Sequence, residues 1–507
     1  MILESLNRIV WGAPALVLIL GTGLFLSIRT GFVQLRLFPE AAYRFLDLFR
    51  GSGEGKGVSS LQALCTALAA TVGTGNLVGV AGAIALGGPG AVFWMWICGI
   101  VGMATKYAEA TLAVHCRVQE KSGYVGGPMY MIRRALGKRW HWLAGVYSFF
   151  GLVAAFGVGN ATQINAVITG INGVIRYFGG SVSRTCNLAI GFVLAVFIGA
   201  MLLGGANRIG SAAEMLVPVA SAGYILLCLG VLILRREAIA GAFTSILTGA
   251  FSPRAVTGGM LGSAFQALKV GVSRGVFTNE AGMGTASIAH ACAQVPHPVR
   301  QGLMGIMEVF LDTIVICTMT ALVILCSGIA IPYGTDAGGT LTAEAFASVY
   351  GGWVNVMLAL FMCCFAFATV LGWGLYGARC AQYLFGPKAW GIFALLQTLT
   401  VLLSAVLETG AIWSFAETVN GLMAIPNLIA LAVLSPQLQR LTIEYINLRG
   451  SSEAAGGTHE NLNQRKPLPA FSHEKVPSLC PGGQKTGQED LPSEHRSARS
   501  SHPPGIL

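Results

Sequence analysis

The chain has 507 residues, of which 54% are apolar or aromatic and only 11% are charged, whereas an ordinary soluble domain is about 25% charged. This composition excludes a conventional soluble protein, and the recurring apolar stretches indicate that lipid is its solvent. The net charge of +10 does not indicate nucleic-acid binding, because the basic excess lies in connections between apolar stretches, as in membrane proteins with a basic inner face.

Eleven windows are apolar over a length that crosses about 30 Å of hydrocarbon, and each predicts a transmembrane helix. The predicted spans lie near 9–28, 61–85, 91–114, 142–171, 186–204, 212–234, 256–290, 302–330, 353–378, 389–407 and 411–434. The first window is about twenty residues long and lacks a small-residue cleavage site, which favours a spanning helix over a signal peptide. The twelve cysteines form no CxxC pair and are expected to be buried without disulfides.

Lysine and arginine residues in the connections predict the orientation. The connections 29–57 and 105–140, with shorter ones on the same face, carry eighteen basic residues, Lys106 included, whereas the opposite face carries six. We therefore expect the C-terminus in the cytoplasm and, because eleven is odd, the N-terminus outside. The segment 450–507 is rich in Ser, Pro, Gly, Glu and Lys and is predicted to be a disordered cytoplasmic tail.

Two predicted spans are interrupted by glycine and polar residues. The second breaks at Gly73, Thr74, Gly75 and Asn76, and the seventh is expected to break between about 271 and 285. Non-helical backbone at membrane depth persists only inside protein or against a cavity. These interruptions therefore mark a candidate binding region.

The positions of the breaks suggest an internal repeat. If residues 1–57 form an extra helix and a cytoplasmic loop, the remaining spans divide into five-helix groups, 58–235 and 255–435, and each group opens with a broken helix. Because five is odd, the second group crosses the membrane in the opposite sense. This 5+5 inverted repeat is typical of secondary transporters, whose substrates bind between the broken helices.

Several motifs keep two interpretations at this stage. The GTGN string at 73–76 is favoured as a binding site for a cation and a carboxylate, but it could be a notch for helix packing. Arg274 and Glu280 could serve ligands or could form an ion pair that fixes the second break. Glu308 and Asp312 share one helix face and fit an ion path or a structural hydrogen-bonding role equally well.

Two other function classes are disfavoured. The string GVSRG at 271–275 matches the GxSxG pattern of serine hydrolases, but that pattern needs a strand-to-helix turn and a histidine partner. Channel filters usually come from repeated subunits or four-fold repeats, whereas this chain has a two-fold pattern. We therefore expect no enzymatic activity and no catalytic residues.

Long strings resemble the alanine or glycine:cation symporter family. They are GTGN at 73–76, the segments 87–114 and 126–132, NEAGMGTASIAHA at 279–291 and ATVLGWGLYG at 368–377. The resemblance covers residues 1 to about 445. It implies a leucine-transporter-type, all-α membrane protein of the inner membrane that imports alanine and glycine with sodium, without another cofactor.

The resemblance also implies a set of ligand-binding positions. The substrate carboxylate would meet Thr74, Gly75 and Asn76, the amino group would meet Gln163 and Thr369, and Phe277 and Trp373 would close over the side chain. Sodium would be held by the carbonyl groups of Ala69, Val72 and Phe365 and by the Thr369 hydroxyl. Coupling to protons instead of sodium, with a different small amino acid, stays an open alternative.

Overall fold

The structure, a computed structural model, describes residues 12–50, 57–120, 123–251, 264–335, 338–406 and 410–454. The predicted tail beyond residue 454 and the first residues of the seventh predicted span, 256–263, lie outside the described residues. All statements below concern the described ranges.

The first half of the chain is helical apart from one hairpin. Its helices are α1 (Ala13–Arg29), α2 (Val33–Arg36), α3 (Phe38–Leu48), α4 (Ser60–Thr71), α5 (Val80–Gly87), α6 (Gly90–Cys116), α7 (Pro128–Ala135), α8 (His141–Phe156), α9 (Thr162–Tyr177), α10 (Arg184–Leu203) and α11 (Gly205–Leu234). In the hairpin, β1 (Val118–Glu120) pairs antiparallel with β2 (Gly123–Val125).

The second half continues the helical pattern. Its helices are α12 (Ile239–Phe251), α13 (Ala264–Asn279), α14 (Thr285–His290), α15 (Pro298–Val309), α16 (Thr318–Cys326), α17 (Gly338–Tyr350), α18 (Val354–Phe385), α19 (Ala389–Ser404) and α20 (Gly410–Ala454). Wider π-helical turns occupy Gly75–Gly79, Gly157–Ala161 and Phe310–Cys317, and short 3₁₀ turns occupy Lys138–Trp140 and Arg236–Ala238. Such π turns are rare and frequently lie at functional sites.

Seven helical stretches in the described ranges are long and apolar enough to cross a membrane, and the bent pair around the first break makes eight. The expected all-helical, multi-pass class is therefore confirmed. The count of eleven stays a prediction, since α1 and α19 are shorter apolar helices and the start of the seventh predicted span is not described.

The outer helices present apolar side chains outward, as contact with lipid requires. On α10, Leu188, Phe192, Val193, Val196 and Phe197 are all exposed. In water this surface would be a liability for aggregation. All eleven cysteines in the described ranges are free, and eight of them are buried.

The connections contain more structure than predicted. The helices α3, α7, α12 and α17 lie between predicted spans and are too short for a search based on bilayer-spanning windows. The helix α20 continues to Ala454, beyond the predicted span end at 434 and into the first residues of the predicted tail.

The C-terminal part of α20 is tied to α3 through Glu40. Arg449 and Arg44 each donate to the Glu40 carboxylate at 2.9 Å, and the Tyr445 hydroxyl donates to it as well. Burial of Glu40 opposes its ionisation, but these partners outweigh burial and lower the pKa of the carboxyl group from its ordinary value.

Lys106 was expected in a cytoplasmic connection, and this expectation is wrong. It lies in the middle of α6 with no exposed surface, and its ammonium donates to Glu308 at 2.9 Å. An apolar window does not reveal one paired cation within it, because pairing removes much of the cost of burial. The basic bias of the predicted cytoplasmic face persists without this residue.

The first break lies where it was predicted. Helix α4 starts with a capping box between Ser59 and Gln62 and ends before Val72, whose ψ of 99° is extended. The π turn from Gly75 then leads into α5, and the two halves are bent by 48°.

The second break is narrower than predicted. Residues 271–279 are helical within α13, and only the stretch 280–284 interrupts the helix before α14. The glycines at 271 and 275 instead allow close packing on α6. A β-carbon on Gly271 would stand 2.3 Å from the Ala91 carbonyl oxygen, and one on Gly275 would stand 3.0 Å from the Cys98 β-carbon. At the break itself, Glu280 has a φ of 52°.

Candidate functional site

The first break is joined to α18 through the Thr369 hydroxyl. This hydroxyl lies 2.8 Å from the Ala69 carbonyl oxygen and 2.9 Å from the Phe365 carbonyl oxygen. Three of the four expected sodium ligands therefore meet at one point. The fourth, Val72, is buried next to the break, and its extended backbone leaves the helical hydrogen-bonding pattern.

The Ala69 carbonyl is available to Thr369 because of an unusual cap at the break. In a regular helix this carbonyl would accept from the backbone N–H of Gly73. That N–H instead donates to the Asn76 side-chain oxygen at 2.8 Å. Breaking the helix thus leaves a carbonyl oxygen directed at α18, as a cation site requires.

Asn76 is fully buried and both ends of its side-chain amide contact protein. While its oxygen caps Gly73, its nitrogen donates to the Asp312 carboxylate at 2.7 Å and to the Asp312 carbonyl at 3.2 Å. A substrate at this position would therefore meet the start of the second half-helix, formed by Thr74, Gly75 and Asn76, more readily than the Asn76 side chain.

Asp312 was predicted to serve an ion path or a structural hydrogen-bonding role, but its direct contact with Asn76 was not foreseen. It lies in the π turn Phe310–Cys317, and its second carboxylate oxygen accepts from Thr313 at 2.8 Å. The available signal was an acid inside a predicted span, which is by default functional or paired.

Gln163 lies near the same break. Its side-chain nitrogen donates to the Val158 carbonyl at 3.3 Å, while its oxygen is buried without a hydrogen-bond partner among the described residues. A β-carbon on Gly73 would stand 2.9 Å from the Thr369 hydroxyl oxygen and 3.8 Å from this Gln163 oxygen. The structure therefore brings Gly73, Thr369 and Gln163 together.

Trp373 lies one helical turn after Thr369 and is fully buried. A β-carbon on Gly159, in the π turn between α8 and α9, would stand 2.3 Å from the Trp373 β-carbon, so only glycine fits there. The indole N–H of Trp373 has no partner among the described residues. Trp373 thus lies against the π turn that directly precedes the helix of Gln163.

The end of α13 packs against the first break. A β-carbon on Gly75 would stand 3.2 Å from the Thr278 methyl group, and Thr74 at the start of the turn is buried. Phe277 precedes Thr278 and is half-buried. The structure therefore brings Thr278 to the break between α4 and α5, whereas the placement of Phe277 over the substrate side chain stays a prediction.

For Glu280 the structure shows a hydroxyl partner on the far side of the break. The Glu280 carboxylate accepts from the Thr285 hydroxyl at 2.6 Å, across the break. Ser273 lies within helix α13 and not on a strand-to-helix turn, which removes the structural basis for the hydrolase motif. The described residues contain no cluster of acid, histidine and cysteine side chains for a multivalent metal.

A second buried polar chain was not anticipated. Glu308 accepts from Lys106 at 2.9 Å and pairs with the His290 Nε2 at 2.9 Å, while Gln301 bonds the other ring nitrogen of His290 at 2.8 Å. The Ser60 hydroxyl then donates to Gln301 at 2.5 Å. This chain connects α6, α14 and α15 to the first turn of α4, so Glu308 has the hydrogen-bonding partners that a structural role requires.

The chain is similar to a known family of transporters and to several of their sequences. Residues 1–456 match the sodium:alanine symporter family. The chain is 43% identical over 445 residues to the sodium/alanine symporter AgcS of Methanococcus maripaludis, covering 86% of this chain and 94% of that protein. It is 36% identical over 438 residues to the amino-acid carrier protein AlsT of Bacillus subtilis, covering 85% and 89%.

A solved structure shows the same kind of fold. The crystal structure of MhsT in complex with L-phenylalanine aligns with a TM-score of 0.52, covering 77% of this chain and 99% of that chain. The sequence identity is 13%, so the likeness concerns the fold alone. It agrees with the expected leucine-transporter-type architecture.

Proposed function

Because the chain belongs to the sodium:alanine symporter family, we propose that it imports small neutral amino acids, alanine and glycine first, together with sodium. The observation that carries this proposal is the meeting of Ala69, Phe365 and Thr369 at the first break. It joins a broken helix to a helix of the other proposed repeat at a point where three oxygen atoms meet.

The donor set fits a sodium ion. Two backbone carbonyls and one hydroxyl are neutral oxygen ligands, and Val72 would add a third carbonyl from the extended backbone. Hard cations prefer oxygen ligands, and transporters of this architecture place such ions against unwound carbonyls. Sodium bound here would hold α4 against α18.

The amino acid would occupy the space beside this ion. Its carboxylate would accept from the backbone amides of Thr74, Gly75 and Asn76, where the start of a half-helix favours negative charge. Its ammonium group would donate to the Gln163 side-chain oxygen, which is buried and lacks a partner among the described residues. A ligand ammonium at this position would satisfy that oxygen.

Small substrates are favoured by the surrounding aromatic residues. Trp373 is fixed against Gly159 and cannot withdraw in that direction, and Phe277 lies beside Thr278 at the end of α13. Steric exclusion by a held ring discriminates more strongly than an apolar pocket, which distinguishes one methylene by only about 1–3 kcal/mol.

The transport cycle follows from linkage between the two ligands. Sodium that joins α4 to α18 would also order Gly73, which directly precedes the backbone amides proposed for the substrate carboxylate. Each ligand would therefore strengthen binding of the other by the same factor. With the N-terminus outside and two inverted repeats, 58–235 and 255–435, the site would face each side in turn. The membrane potential would supply about 2.3 kcal/mol per charge per 100 mV for import.

Equilibrium binding of labelled alanine to the purified protein tests this proposal. Alanine affinity should rise with sodium, and sodium affinity should rise with alanine by an equal factor, while potassium or choline should not replace sodium. Alanine binding that ignores sodium but follows pH would replace the proposal with proton coupling. A panel containing glycine, serine, glutamine and leucine would define the substrate range.

A further inference from the structure

The second break is held by side chains from three other helices. The Glu109 carboxylate on α6 accepts through one oxygen from the backbone N–H groups of Gly282, at 2.9 Å, and Gly284, at 3.0 Å. Asn427 on α20 donates to the same carboxylate oxygen at 2.7 Å and to the Gly282 carbonyl at 2.9 Å. The Tyr147 hydroxyl on α8 donates to the Met283 carbonyl at 3.1 Å.

These contacts satisfy backbone groups that have no helical partner. Gly282 has a φ of 96° and Gly284 a φ of 79°, so the chain between α13 and α14 is in the left-handed region. Glu109 and Asn427 have no exposed surface, and water therefore does not replace them. An unsatisfied backbone group at this depth costs several kcal/mol, so the path of the break depends on these partners.

The held segment is connected to the first break by consecutive hydrogen bonds. The Ala281 N–H donates to the Asn279 side-chain oxygen at 3.0 Å, and the Asn279 side-chain nitrogen donates to the Thr313 hydroxyl at 3.2 Å. Thr313 donates to Asp312, which accepts from Asn76 at 2.7 Å. Asn76 in turn caps the first break, so one polar chain runs from one unwound segment to the other.

We propose that Glu109 and Asn427 are positioning residues that anchor the second break, and that the side chains of Asn279, Thr313 and Asp312 transmit its position to Asn76 at the first break. The two halves of the binding site then keep a fixed register, and α20 contributes to substrate affinity without touching substrate. The affinity consequence rests on the proposed function, whereas the mechanical coupling between the breaks does not.

Hydrogen exchange of the ligand-free full-length protein tests the anchoring directly. Asn427→Ala removes the hydrogen bonds from Asn427 to the Glu109 carboxylate and to the Gly282 carbonyl. Peptides covering 277–286 should then exchange about tenfold faster. Asn420→Ala, which changes another buried asparagine of α20, is the matched control and should leave this segment unchanged.

Substitutions of Glu109 should increase hydrogen exchange at 277–286 by graded amounts. Glu109→Gln keeps one acceptor oxygen with two lone pairs for three donors and should cause an intermediate increase in exchange, whereas Glu109→Leu should cause the largest. If Glu109→Leu does not fold, Asn427→Ala and Glu109→Gln decide the question. Parental exchange at 277–286 in both folded variants would overturn the anchoring role.

A double-mutant cycle tests transmission. Asn427→Ala should weaken alanine binding at least about fivefold, with a melting temperature no lower than that of a matched buried variant. In a Thr313→Val background the same change should have little further effect on alanine affinity. If the two substitutions reduce alanine affinity additively, or if affinity is unchanged despite faster exchange at the second break, the proposed transmission is overturned. Failure of the parent to bind alanine would count against the proposed function and leave the exchange test intact.

Discussion

The Thr369 hydroxyl is the most informative single group to remove. Thr369→Val is nearly isosteric, so it deletes the oxygen that lies 2.8 Å from the Ala69 carbonyl and 2.9 Å from the Phe365 carbonyl with little change in volume. Thr369→Ser keeps the oxygen and serves as the conservative rescue.

The structure sets the expected size of the effect. The Gly73 N–H is committed to Asn76, so the variant leaves the Ala69 carbonyl without its donor. A buried unsatisfied acceptor costs about 1–3 kcal/mol of stability, and loss of one ligand to a charged partner costs roughly 1.5–3 kcal/mol of binding. The sodium concentration for half-maximal alanine binding should therefore rise about tenfold or more.

Sodium titration of labelled-alanine binding to purified protein measures this shift. The matched control is Thr398→Val on α19. The Thr398 hydroxyl also donates to the carbonyl four residues earlier, that of Ala394, but Thr398 is not one of the proposed site residues. A Thr369→Val protein that folds and keeps its sodium half-saturation within twofold of the parent would refute the assignment, as would a Thr369→Ser protein as impaired as the valine variant.

Three further outcomes follow from the same geometry. Asn76→Ala should weaken alanine binding about tenfold or more, because the Gly73 N–H at the break loses its cap, and should lower the melting temperature, because the Asp312 carboxylate loses a donor worth roughly 1.5–3 kcal/mol; alanine affinity within twofold of the parent would contradict this. Trp373→Ala should weaken alanine binding and admit valine or leucine in competition assays, at a stability cost of about 3–5 kcal/mol; continued exclusion of both by a folded variant would place the selectivity wall elsewhere. Truncation after Ala454 should leave uptake intact, because the composition of the removed segment predicts no contribution to the transmembrane part. Loss of uptake by a correctly inserted truncated protein would contradict this.

The sequence was sufficient for the features that depend on long patterns. Apolar windows predicted helices such as α10 and α18 to within a few residues at most ends, and the GTGN string placed the first break where the helix bends. The family strings also selected Ala69, Phe365 and Thr369, which meet although 300 positions separate the first and last.

The remaining features depend on contacts that one sequence does not encode locally. The partnership of Glu109 with Asn427 joins residues 318 positions apart. The glycine at 271 looked like part of a break, but its role is close packing on α6, which requires knowledge of the neighbouring helix. Lys106 was assigned to a connection because hydropathy alone cannot show that Glu308 compensates its charge.

The central claim, that sodium binding drives amino-acid import, is tested most directly by uptake of labelled alanine into proteoliposomes with sodium and pH gradients imposed separately at fixed voltage. We predict accumulation above the external concentration with an inward sodium gradient and no pH gradient, and none when choline replaces sodium. Uptake that persists unchanged in choline, or that follows the pH gradient alone, would contradict the account.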